Sequence, residues 1–290
     1  MEVRLALHGD SLLLVYDPMN SRISIFDTAG RYRRQIGFQR FLFQMDDAFA
    51  VLGSGELAVR VSLTGELAEG RDVKSQYLLV ALDGSVLDSI PLPSPAVEGY
   101  LGFLLLTADG ERHSFPIETV FALLPDGRLV SGRTSRYLVT VSPGGAPAST
   151  IKRRIPPVPL SGKERSEWEA WLRYFERRGS QENPLPRQKP AFRDLRVDES
   201  GRIWVHRYVK GVPRDIPPRP AGDRRPLLTV REPNTFDLFR PEGKFLGTVE
   251  LPPQTRLLSV RGDQVYVLRE AEGGENLIER YSIEGLAGSS

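Results

Sequence analysis

Five times the chain returns to one unit: an apolar strand, a turn of the Gly-Asp or Asp-Gly type, a second strand, a third strand ending in a turn, and a closing strand. The clearest copy runs through Gly9-Asp10, SLLLVYD (11–17), Asn20-Ser21-Arg22, ISIFD (23–27), Ala29-Gly30 and RYRRQIG (31–37). In ISIFD the residues Ile23, Ile25 and Asp27 point one way and Ser24 and Phe26 the other, the period of two that a sheet requires. One four-stranded sheet buries its faces only against the sheets on either side, so a repeat of this kind specifies a solenoid or a propeller. The expected fold is all-β: a β-propeller of four-stranded blades with one helical insertion, in a single domain over residues 1–290.

The first blade runs from Val3 to about Phe38. The second takes 46–55, 56–63, 76–85 and 86–92, with a polar loop at 65–75. Residues 99–116 read as an extra hairpin around Asp109-Gly110. The third blade takes 118–127, 128–135, 137–145 and 146–153. The fourth takes 191–201 and 202–209, then resumes at 235–243 and 244–251. The fifth takes 255–263, 264–270 and 277–285, and lacks an outer strand because only LAGSS follows Gly285.

Two segments interrupt the repeat. In the first, about 156–190, Ser161 with Glu164 three residues on forms a capping box, and Gly179 follows the last turn of a helix. Trp168, Trp171, Leu172 and Phe175 share one face of that helix and are expected to pack on the propeller's face, a movable lid being the alternative. The second, about 210–233 (GVPRDIPPRPAGDRRP at its centre), is rich in Pro and Arg and is expected to form an extended loop between two strands.

The N-terminus, MEVRLALHGD, lacks the pattern of a signal peptide, and no apolar run approaches the roughly 18 residues of a membrane-spanning helix. The net charge of +2 hides a segregation. Residues 151–231 hold 20 Lys/Arg and 10 Asp/Glu, leaving 19 and 27 for the rest, so the middle is +10 and the remainder −8. Such an asymmetry either steers an anionic partner or neutralises another part of the fold.

With no Cys and only His8, His113 and His206, a thiol nucleophile or a three-histidine zinc site has little to draw on. No P-loop, dinucleotide fingerprint or Gly-x-Ser-x-Gly elbow is present, and neither cofactor nor metal is expected. His8 and His113 read as turn residues. His206 lies in IWVHRY between Trp204 and Tyr208 and beside Arg207, where a histidine serves as a general base, a stacking residue or a hydrogen-bonded residue between blades. The first strand of the fourth blade, FRDLRVD, presents Arg193 and Arg196 with Asp194 and Asp198. Arginines on a channel-lining strand bind a carboxylate, phosphate or acidic sugar bidentately, or else form an Arg–Asp network between blades. The candidate ligand-binding residues are therefore Arg193, Asp194, Arg196, Trp204, His206 and Arg207. The absence of regular aromatic interleaving argues against nucleic acid.

The stretch VYDPMNSRISIFDTAGRY resembles the NHL-type repeat, and RVDESGRIWVHR and FDLFRPEGKFLGTVELP look like the same repeat cut by an insertion. The whole chain resembles the bacterial six-bladed β-propeller proteins related to the NHL group. The resemblance implies six blades in the intact parent, an additional first blade before the five visible here, and a periplasmic or cell-surface location. It leaves function open, because such scaffolds host many roles. The expected function is a non-enzymatic binding module for a protein or a small anionic ligand. The alternative is a hydrolase or lyase acting at the mouth of the central channel through His206, Arg193 and Asp194.

Overall fold

The computed structural model describes residues 4–9, 11–17, 20, 22–38, 49–62, 75–92, 115, 117–143, 148–176, 185–214, 224–270 and 276–284. The hairpin expected around Asp109-Gly110, the loop at 65–75 up to residue 74, His113, the Phe175 side chain and Gly179 lie outside the described residues. The chain falls into two compact units: Met1–Ala96 with Leu106–Glu111 and Leu123–Gly127, and Val97–Leu105 with Arg112–Ala122 and Arg128–Ser290.

The first unit holds two antiparallel blades in strand order. One comprises β1 (Arg4–His8), β2 (Leu12–Asp17), β3 (Arg22–Asp27) and β4 (Tyr32–Gly37). The other comprises β5 (Phe49–Val51), β6 (Leu57–Ser62), β7 (Ser75–Val80) and β8 (Val86–Pro91). Leu14 lies opposite Ile25 and Tyr16 opposite Ile23, so their side chains share a face. That face packs with Leu57, Val59, Val61, Leu78 and Val80 into one core. Along β4 only Ile36 is buried, which leaves a charged, solvated outer edge.

The second unit carries the rest, apart from Leu123–Gly127, which belongs to the first. Its first blade is β9 (Thr119–Leu123), β10 (Leu129–Arg133), β11 (Leu138–Val141) and β12 (Ser149–Lys152). The next is β13 (Phe192–Val197), β14 (Ile203–Arg207), β17 (Thr235–Phe239) and β18 (Phe245–Glu250). The last is β19 (Thr255–Arg261), β20 (Gln264–Glu270) and β21 (Asn276–Ser282), three-stranded among the described residues. Trp204, Phe236 and Leu238 pack against Leu257, Val260, Val265 and Val267, joining the fourth blade to the fifth. Tyr137 lies 5.9 Å from Phe192 and 6.2 Å from Phe239, joining the third to the fourth.

One turn recurs. In six hairpins the fourth residue is a glycine whose amide donates to the first residue's carbonyl at 2.9 Å: Gly30 to Asp27, Gly55 to Leu52, Gly84 to Ala81, Gly127 to Leu124, Gly201 to Asp198 and Gly243 to Arg240. This is the three-residue hairpin loop that ends in a left-handed residue. At Gly127 φ is +82°, a conformation an L side chain resists.

The insertions depart from expectation in two ways. Helix α1 (Gly162–Glu176) begins at Ser161, whose hydroxyl accepts the Glu164 amide at 3.2 Å. Only this half of the capping box forms as expected, because the Glu164 carboxylate is taken by Lys189. The Pro/Arg-rich loop is not wholly irregular: Val212–Pro213 (β15) and Val230–Arg231 (β16) pair as an antiparallel ribbon. Leu228, beside β16, joins Leu160, Trp168 and Trp171 in a core completed by Phe115 and Leu185. The tryptophan face of α1 is thus buried on its own flanking segments and on the ribbon.

Candidate functional site

The six residues singled out by sequence all belong to the fourth blade, and strand geometry divides them. Asp194 lies opposite His206, and Arg196 opposite Trp204. His206 in turn faces Phe236, and Trp204 faces Leu238. Asp194, Arg196, Trp204 and His206 therefore share one face of the sheet. Arg207 belongs to the other face. Arg193 belongs to neither, because the register slips between Phe192 and Asp194 and leaves it in a bulge.

On the first face the His206 ring stacks on Phe236, with centroids 4.3 Å apart and planes at 22°. Its Nε2 is buried with no hydrogen-bond partner among the described residues. Burial holds the His206 pKa well below its ordinary value, the charges of Arg193 and Arg196 add to that, and the Asn234 side chain opposes it. His206 is therefore a neutral imidazole at physiological pH. Arg196 approaches the Asp194 carboxylate at 3.3 Å and donates to the Leu257 carbonyl at 2.7 Å, reaching the fifth blade. Asp194 also accepts the Leu195 amide at 2.8 Å. The Trp204 indole donates to Asp198 at 2.8 Å, and Asp198 further receives Arg202 at 2.6 Å.

The expected line of Trp204, His206 and Tyr208 along one strand is cut short, because β14 ends at Arg207. Tyr208 packs instead on Phe115, 5.4 Å away, and beneath the Arg193 guanidinium at 4.3 Å. Arg193 also pairs with Glu232. Glu232 and Glu164 both accept from the Lys189 ammonium at 2.6 Å, and the Val209 carbonyl accepts from it at 2.9 Å. Burial lowers the Lys189 pKa below its ordinary value, against the pull of Glu164.

On the opposite face Arg207 lies 3.5 Å from Asp237, which is wholly buried. Asp237 also accepts the Tyr137 hydroxyl at 2.8 Å and the Thr248 hydroxyl at 2.7 Å, and Arg153 lies 2.5 Å away as an ion pair. Burial, and then the neighbouring Asp237 carboxylate, push the Tyr137 phenol far above its ordinary range.

Sequence reasoning missed Asp237, Tyr137, Lys189 and Glu232. A usable signal existed only for Asp237, a carboxylate in the middle of the apolar run TFDLF. His8 was expected in a turn. It ends strand β1 instead, and its Nε2 meets the Gly55 carbonyl at 2.7 Å. No three His, Cys, Asp or Glu side chains gather as a metal site among the described residues. No described helix is long and apolar enough to cross a membrane.

No protein-family model matches the chain, and no curated protein matches it in sequence. Several solved structures align with most of it. A protein of unknown function from Bacteroides caccae aligns over 98% of this chain and 79% of its own, at 12% identity and a TM-score of 0.44. Virginiamycin B lyase from Staphylococcus aureus aligns over 97% and 84%, at 10% identity and 0.39. A putative gluconolactonase aligns over 96% and 73%, at 13% identity and 0.41. These neighbours include a lyase, a putative gluconolactonase and a protein of unknown function.

Proposed function

We propose that the chain is a non-enzymatic binding scaffold whose fourth blade takes a small anionic ligand, a carboxylate or phosphate, at the face shared by Asp194, Arg196, Trp204 and His206, with Arg193 at its border. The observation that carries this reading is the buried, unpartnered Nε2 of His206 next to the charges of two arginines. A buried polar atom without a partner calls for an explanation, and a ligand group supplies one. Arginine forks suit planar anions.

The alternative hydrolase or lyase reading has one point in its favour, since a neutral imidazole can accept a proton. It is the weaker reading because the nearest carboxylate in the ladder, Asp194, is occupied by Arg196 and the Leu195 amide instead of orienting the imidazole.

Calorimetric titration against a panel of small carboxylates, phosphates and uronic acids tests the proposal. Binding by the wild type that falls at least about tenfold in His206→Phe, with little change in melting temperature, is the expected result. Silence of the wild type across the panel overturns it, and turnover of a lactone or ester that His206→Gln abolishes moves the assignment to the enzyme reading.

A further inference from the structure

The hydrogen bonds around His206 decide which of its nitrogens carries the proton. Asn234 immediately precedes β17, in which Thr235 lies opposite Arg207 and Phe236 opposite His206. Its Nδ2 donates to the Thr255 carbonyl at 2.5 Å, at the start of the fifth blade. That bond assigns the two ends of the amide, since a carbonyl partner requires the nitrogen and leaves Oδ1 as the free end. The Asn234 side chain is also hydrogen-bonded to His206, in the sense that favours a charged imidazole. A bond of that sense is one the ring donates, so Asn234 meets it as an acceptor. Nε2 has no hydrogen-bond partner among the described residues, so the donating nitrogen is Nδ1. The neutral ring therefore holds its one proton on Nδ1 and presents a bare lone pair at Nε2.

Arg193 supplies the complement. It pairs with Glu232 through Nη2 and its guanidinium lies over the Tyr208 ring, while its Nε is buried without a hydrogen-bond partner among the described residues. An arginine nitrogen only donates, so Nε calls for an oxygen acceptor, whereas Nε2 of His206 calls for a hydrogen donor. A simple carboxylate meets the first need and fails the second, because its oxygens only accept. An ammonium group is a poor donor here, since the charges of Arg193 and Arg196 already bear on the imidazole. A hydroxyl donates without adding charge.

We infer that the ligand of the fourth blade is a hydroxycarboxylate, its hydroxyl donating to Nε2 of His206 and its carboxylate accepting from Nε of Arg193, with Asn234 as the positioning residue that fixes the imidazole tautomer. The inference rests on the binding reading above and narrows it from small anions in general to one class. A site built around a hydroxyl rejects the analogue that lacks it, because its own buried polar atom is then left unpaired.

Nitrogen NMR of the full chain labelled at histidine tests the tautomer without any ligand. The chain has three histidines, so the signals absent from His206→Phe identify those of His206. A pyrrole-type Nδ1 with a pyridine-type Nε2 is expected at neutral pH, and the reverse assignment overturns the inference while leaving the binding reading intact. Calorimetry against matched pairs, lactate with propionate and glycolate with acetate, tests the class. The hydroxylated member should bind at least about tenfold more tightly. Asn234→Leu should lose the fixed tautomer and most of that advantage; where this variant does not fold, the wild-type spectrum and pairs decide. Equal affinity within the pairs overturns the inference alone. Silence toward every acid, in these pairs and in the wider panel, overturns the binding reading with it.

Discussion

Two buried charges hold the second unit together, and they are mirror images in sign. Asp237 is one carboxylate between two arginines, Arg153 and Arg207, while Lys189 is one ammonium between two carboxylates, Glu164 and Glu232. Asp237 sits in the middle of a strand, and the groups around it come from the third and fourth blades, Tyr137 preceding β11 and Arg153 following β12. Lys189 sits outside any strand, and its partners are the first turn of α1, the segment after β14 and the segment after β16. The same device thus serves two purposes: one joins blade to blade, the other pins an insertion to the blade it interrupts. Neither charge is left bare, which is the condition under which a buried ion pair is tolerable.

The largest effect is expected at Asp237. Asp237→Ala leaves two guanidinium groups and a phenol facing one another, and should destabilise the unit by about 3–5 kcal/mol, read from the denaturation midpoint. A loss below about 1 kcal/mol would mean that the blades are joined by their aromatic contacts alone.

Lys189→Met should cost about 3 kcal/mol by the same reasoning, but the damage should be local. Hydrogen exchange should rise in α1 and the β15–β16 ribbon while the β14–β17 ladder stays protected. Uniform loss of protection would erase the distinction between the two centres.

The smallest effect concerns pH. His206 lies on the opposite face of the blade from Asp237, and its folded pKa is depressed below the unfolded value of about 6.5. Below that pH the unfolded chain binds a proton that the folded one does not. This contribution to stability is therefore intact above about pH 6.5 and declines as pH falls, by at most about 1.4 kcal/mol per unit until the folded pKa is reached. Denaturation of His206→Phe should show a shallower decline between pH 6.5 and 5 than the wild type. Equal slopes would place the imidazole in a polar, hydrated setting.

The blades were legible because their signals are local. Alternation assigns the faces of β2 and β3, and a glycine four residues into the turn marks six of the hairpins. The centres were not legible because their partners are far apart in sequence: Tyr137 and Asp237 are 100 residues apart, and Glu164 and Lys189 are 25 apart. Glu164 shows the limit of pattern reasoning. Its spacing from Ser161 fits a capping box, yet a buried ammonium attracts its carboxylate more strongly than a backbone amide does. The Arg193 bulge was equally hidden, since nothing in FRDLRVD marks where its register slips. The ribbon was masked by composition, because prolines flank the few residues that pair.

Two glycines of the third blade exclude other residues for different reasons. A side chain at Gly127 would meet nothing within 4 Å, whereas one at Gly132 would collide with the Leu138 carbonyl and the Phe192 ring, each at 2.9 Å. Position 132 refuses volume. Position 127 refuses handedness, since its φ of +82° is one that a D-amino acid adopts at rest. A mirror-image alanine placed there by chemical synthesis would be at ease in a turn where its natural enantiomer is strained.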